Sequence, residues 1–92
     1  MSSKATDRYQ QIKTVEAAPL EDGVILLDPE TSQFSVLNQT ATVIWAKVAE
    51  PATSEEIAAE IRLQFEEVDG GVLSEVEDTL RQMVERQLIK QV

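Results

Sequence analysis

The chain has 92 residues, neither cysteine nor histidine, and a formal net charge of −9 from 17 acidic and 8 basic side chains. That length, with 42% hydrophobic residues, supports one domain with a single core. The missing thiols and imidazoles exclude disulfides, thiolate or imidazole metal sites, cysteine nucleophiles and the usual general base near neutral pH.

Residues 1–11, "MSSKATDRYQQ", are polar and aperiodic, and are expected to form a flexible N-terminal tail ahead of a domain spanning 12–92. They hold no basic-then-apolar signal pattern. The longest apolar run in the chain, "GVILL", is far too short to span a bilayer. No membrane association and a cytoplasmic location are therefore expected. The acidic excess begins after residue 20, with 15 acidic against 5 basic side chains from Glu21 onward. Such a body repels nucleic-acid phosphate and anionic lipid, and favours partners carrying Lys or Arg.

The segment "IKTVEAAPL" offers Ile12 and Val15 before a proline, the pattern of a short edge strand. "EDG" then signals a turn, "VILLD" a strand, "DPETSQ" a polar loop and "QFSVL" a further strand; the short loop makes the last two an antiparallel hairpin. After Leu37 the period changes. Asn38 or Thr40 can cap a helix carrying Ala41, Ile44, Trp45 and Val48 on one face, which Pro51 ends. Thr53 and Glu56 form a capping box for a second helix with Ile57, Ile61 and Phe65 on one stripe. "EEVDGG" is expected to break that helix. A third helix over about 72–87 carries Val72, Val76, Leu80, Met83 and Val84 on one face, with Val76, Leu80 and Met83 inward, and "LIKQV" then packs back. Strands first and helices after predict an α+β fold, winged-helix-like, with a three-stranded antiparallel sheet followed by three helices.

Four chemistries fit this arrangement poorly. A winged-helix DNA-binding protein would insert a recognition helix, but Glu75, Glu77, Asp78 and Glu85 on the last helix oppose only Arg81 and Arg86, which places like charge against phosphate. An acyl-carrier-like protein would tether a phosphopantetheine to a serine at a helix start. Ser74 stands near one without the Asp-Ser-Leu context, and the β-rich first third does not suit a four-helix carrier. Carboxylate clusters at 55–56, 66–69 and 75–78 read as solvated helix faces. Gly70-Gly71 lacks the G-K-[ST] of a phosphate cradle.

Backbone recognition remains. A terminal strand of a small sheet keeps unpaired N–H and C=O groups along one side, to which an extended peptide can add. "QFSVL" has apolar residues on both faces, Phe34 and Val36 on one and Leu37 beside Ser35 on the other. One set fills the core; the other either lines a groove beside the last helix or is simply buried.

The segments "GVILLDPETSQFSVLNQTATVIW", "TSEEIAAEI" and "VEDTLRQMVERQLI" resemble, in order and spacing, the PqqD-like family of peptide-recognition domains, the RiPP recognition elements. The resemblance covers roughly residues 12–92 and is greatest to the stand-alone leader-binding proteins of lasso-peptide biosynthesis. Ala41 stands where that type often has glycine, and Glu75 where aspartate is common. It implies a non-catalytic adaptor, without cofactor or metal, acting as a monomer or weak dimer. Its partners would be the leader of a ribosomally made precursor peptide and a leader peptidase or other modifying enzyme. The alternative it offers is a PqqD-type chaperone for a radical or other modifying enzyme. Carried over by position, the peptide-binding residues are Gln33, Phe34, Ser35, Val36 and Leu37 of the strand and Glu75, Asp78, Thr79, Gln82, Met83 and Arg86 of the last helix. Glu77 and Arg81 form that helix's other flank, and the first flank is preferred because it borders Met83. Apolar pockets are expected around Phe34, Val36 and Met83, and Trp45 and Ile57 are read as core.

Overall fold

The structure, a computed structural model, describes residues 7–65 and 71–92. In chain order its elements are β1 (Arg8–Gln11), β2 (Glu16–Leu20), β3 (Gly23–Asp28), β4 (Gln33–Leu37), α1 (Gln39–Lys47), β5 (Ala52–Thr53), α2 (Ser54–Gln64), α3 (Val72–Glu85) and β6 (Ile89–Gln91). The fold is α+β: a three-stranded antiparallel sheet ordered β2-β3-β4, three helices after it, and a second small sheet ordered β5-β1-β6.

The second sheet corrects the expected tail. Arg8–Gln11 is the middle strand there, antiparallel to β5 through Arg8↔Thr53 and to β6 through Gln10↔Lys90. Its polar sequence hid the strand because it is fixed mostly by main-chain pairing, with Tyr9, Gln10 and Gln11 only half-buried. Gln11 N–H donates to the Val48 carbonyl (2.8 Å) and Gln11 Nε2 to the Trp45 carbonyl (2.8 Å), so this strand also holds the C-terminal end of α1. The first six residues of the expected tail lie outside the described residues. The expected first strand also begins later than Ile12: Ile12 and Val15 close a turn, with Val15 N–H donating to the Ile12 carbonyl (3.1 Å), and pairing with β3 starts at Glu16.

Within β3 burial alternates. Val24, Leu26 and Asp28 face the core, and Gly23, Ile25 and Leu27 face outward. Asp28 Oδ1 accepts from Glu30 N–H (3.0 Å) and the Asp28 carbonyl from Ser32 N–H (2.7 Å), with Ser32 left-handed at φ 58°. This side-chain turn sets the register Leu27↔Phe34 and Ile25↔Val36 between β3 and β4. A Cβ on Gly23 would collide with the Leu37 carbonyl oxygen, so glycine is required where β3 begins beside the end of β4.

Asn38, not Thr40, caps α1: its Oδ1 accepts from Ala41 N–H at 2.8 Å. Both halves of the Thr53–Glu56 capping box form at the start of α2, at 3.1 and 2.9 Å. The expected helix break after α2 falls on residues 66–70, outside the described residues. The core gathers Leu26 and Leu37 from the sheet with Ile44, Trp45, Val48, Ile57, Ile61, Val76, Leu80 and Ile89. Val84, expected on the apolar face with Met83, is exposed at its edge. The third helix also stops two residues short of the expectation, at Glu85.

That stop is a Schellman turn. Gln87 adopts a left-handed conformation at φ 62°, Leu88 N–H reaches the Met83 carbonyl (2.9 Å), and Gln87 N–H reaches the Val84 carbonyl (3.0 Å). The turn buries Leu88 close to Met83 and delivers the chain into β6. Among the described residues no helix is long and apolar enough to cross a membrane.

Candidate functional site

β4 pairs with β3 and, among the described residues, with no other strand. In an antiparallel edge strand alternate residues turn N–H and C=O away from the single partner, so β4 presents a row of main-chain donors and acceptors to solvent. Its burial runs exposed, exposed, intermediate, exposed, buried from Gln33 to Leu37. Leu37 therefore enters the core, while Phe34 and Val36, each 67% exposed, stand on the outer face.

Beside this edge lies a groove of about 420 Å³. One wall is Val36, Leu37 and Asn38 with Thr40 and Ala41 from the first turn of α1. The other is α3, through Glu75, Asp78, Thr79, Gln82, Met83 and Arg86, and Leu88 completes it. The amphipathic pattern of α3 explains the lining: Val72, Val76, Leu80 and Met83 are buried, which turns the polar flank containing Glu75 and Gln82 toward β4. Met83 is 3% exposed and both packs in the core and touches the groove.

Of the residues expected from sequence, the structure brings together Val36, Leu37, Glu75, Asp78, Thr79, Gln82, Met83 and Arg86. Gln33, Phe34 and Ser35 do not line the groove. Phe34 points off the sheet where an apolar pocket was expected, because the groove begins near the C-terminal end of β4 rather than along its whole length. Asn38, Thr40, Ala41 and Leu88 were missed. The signal for the first three was the abrupt change from strand to helix at Leu37-Asn38: a helix starting within one residue of a strand end must project its first turn beside that strand.

The other flank of α3 faces elsewhere. Glu77 and Arg81 line a smaller recess with Tyr9, Val84 and Gln91. Burial pushes the Tyr9 phenol above its ordinary range, the charges of Asp7 and Glu77 add to that, and Arg81 opposes it. Arg81 also pairs with Asp78 (3.1 Å), but both side chains are more than half exposed and the pair is readily exchanged. Ser74 is solvent-exposed on α3. Among the described residues no group of three or more His, Cys, Asp or Glu side chains is placed to hold a metal.

Fold and site together define a small α+β domain with an open strand edge running into a helix-walled groove. The chain belongs to the PqqD family, whose model, described as coenzyme PQQ synthesis protein D, matches residues 23–89. Two solved structures are similar. One is TbiB1 in complex with the TbiA(beta) leader peptide, at TM-score 0.77 and 25% identity, covering 88% of this chain and 94% of that one. The other is lasso peptide synthetase B1 complexed with the leader peptide, at TM-score 0.77 and 17% identity, covering 89% and 96%. No curated protein matches the chain.

Proposed function

We propose that this protein is a non-catalytic adaptor that binds the leader of a ribosomally synthesised precursor peptide by strand addition to β4, and delivers it to a leader peptidase or modifying enzyme of lasso-peptide biosynthesis. The observation that carries this reading is the unpaired edge of β4 opening into the groove along α3. Main-chain pairing along β4 supplies affinity that is indifferent to sequence, and the groove supplies selectivity through a few anchored side chains. Ordering a flexible leader costs entropy, so those few anchors decide whether it binds. Supporting the choice of guest, TbiB1, to which this chain is 25% identical over most of both lengths, was solved with a leader peptide.

The test is a titration of fluorescently labelled leader peptides, taken from precursor genes near the coding gene, in parallel with labelled duplex DNA at low salt. Saturable leader binding with no DNA binding is expected; tight DNA binding without leader binding would overturn the reading. Delivery is tested separately, by the rate of leader cleavage by a lasso-peptide leader peptidase in the presence and absence of this protein. The family match favours a second reading of the enzyme partner, a chaperone serving a radical or other modifying enzyme. Replacing the peptidase by such an enzyme in the same assay decides between them.

A further inference from the structure

The charges along the groove are not mixed but sorted. Glu75 and Asp78 stand in its part nearest the start of α3, Thr79 and Gln82 are neutral in the middle, and Arg86 stands at the far end as the helix C-cap. Glu75, Thr79, Gln82 and Arg86 follow one another at spacings of four, three and four residues, which places them in a single row on the helix surface. Among the described residues Arg86 is the only cation lining the groove, and it makes no ion pair with them. All three charged groups are exposed; Glu75 and Arg86 face the groove directly, and Asp78 meets a guest by exchanging its solvent-exposed pair with Arg81.

We infer that the bound peptide carries a charge pair of fixed spacing, a Lys or Arg at one position and an Asp or Glu four residues away, with a neutral residue midway. The inference rests on the peptide-binding reading above and specifies the class of peptide the groove takes. At about 1.5 Å per residue of helix, Asp78 and Arg86 lie roughly 12 Å apart along α3, and Glu75 and Arg86 roughly 16 Å. An extended guest rises about 3.3 Å per residue and turns every second side chain toward α3, so residues four apart are separated by about 13 Å on that side. Two residues apart falls short of the gap. Six apart reaches about 20 Å and overshoots it. The residue midway meets Thr79, Gln82 and Met83, where a charge would find no partner.

The experiment is selection of a display library of randomised peptides, about twelve residues long, on the immobilised protein and on two variants, Arg86→Glu and the double variant Glu75→Lys, Asp78→Lys. The substituted side chains are exposed, so the variants fold, which circular dichroism checks. From the wild type, enriched peptides should carry opposite charges four residues apart. Selection on Arg86→Glu should replace the acidic position by Lys or Arg and keep the rest, and the double variant should do the converse. A synthetic peptide with the acidic position reversed should bind the wild type roughly fivefold to tenfold more weakly and regain its affinity on Arg86→Glu. Enriched peptides without that spacing, or the same consensus from wild type and Arg86→Glu, would overturn this inference while leaving peptide binding intact. Failure to enrich any peptide would overturn the peptide-binding reading, and this one with it.

Discussion

The sheet β2-β3-β4 ends in two strands, and the two ends are built differently. Every residue of β2 is exposed, and this edge carries Glu16 and Pro19, the second of which has no N–H to offer a neighbour. The opposite edge, β4, has no proline, sends Leu37 into the core, and runs into a groove walled by a helix. A charged residue and a proline on a short edge discourage pairing with another chain. One edge is thus blunted, and the other stays open beside a groove. Edge exposure alone is a poor guide to function; what adjoins the edge carries the information.

The largest effect should come from disturbing how β3 holds β4. Gly23→Ala places a methyl group against the Leu37 carbonyl and should destabilise the fold by about 2 kcal/mol, read as a lowered midpoint in chemical denaturation. An unchanged midpoint would mean that the end of β4 is not pinned there. Val36→Lys compared with Ala18→Lys next tests the two edges directly. Both side chains are exposed, so stability should hold, but the first should weaken leader binding about tenfold, because a bound leader would cover Val36, whereas the second should leave it unchanged. Equal effects would erase the distinction.

Gln87→Gly relieves a left-handed side-chain-bearing residue in the turn that seats Leu88 beneath the groove, and should raise stability by up to about 1 kcal/mol in thermal melts. Pro19→Thr gives the blunted edge an N–H; sedimentation velocity should detect more self-association at high concentration, with little change in stability.

The smallest effect concerns a helix start that touches neither edge. Glu56 is held below the ordinary glutamate range, first by accepting the Thr53 N–H. Its contribution to stability is therefore complete above the ordinary glutamate value and is lost as pH falls through the lowered one. A Glu56→Gln variant, which keeps the cap without the titration, should show a shallower loss of stability in acid than the wild type.

Much of this was legible in the sequence because local chemistry and tertiary structure agree. Thr53 and Glu56 announce the start of α2, "DPETSQ" the turn before β4, and the row from Glu75 to Arg86 the polar flank of α3. Three things were not legible. Tyr9 and its polar neighbours make a strand through pairing with β5 and β6, segments more than 40 residues away in sequence, which no local pattern records. Phe34 looked like a groove residue because alternation tells which residues share a face, not what that face meets. The contribution of Leu88 depends on a turn at Gln87 that uses a residue with no special preference for left-handed backbone.

The pairing of β1 with β6 places Tyr9 opposite Gln91, so two segments from near opposite ends of the sequence run side by side, on the flank of α3 that faces away from the groove. These described segments thus share the side of the domain opposite the groove. A domain wired in this way can be spliced into a longer chain through these two segments with the groove left undisturbed.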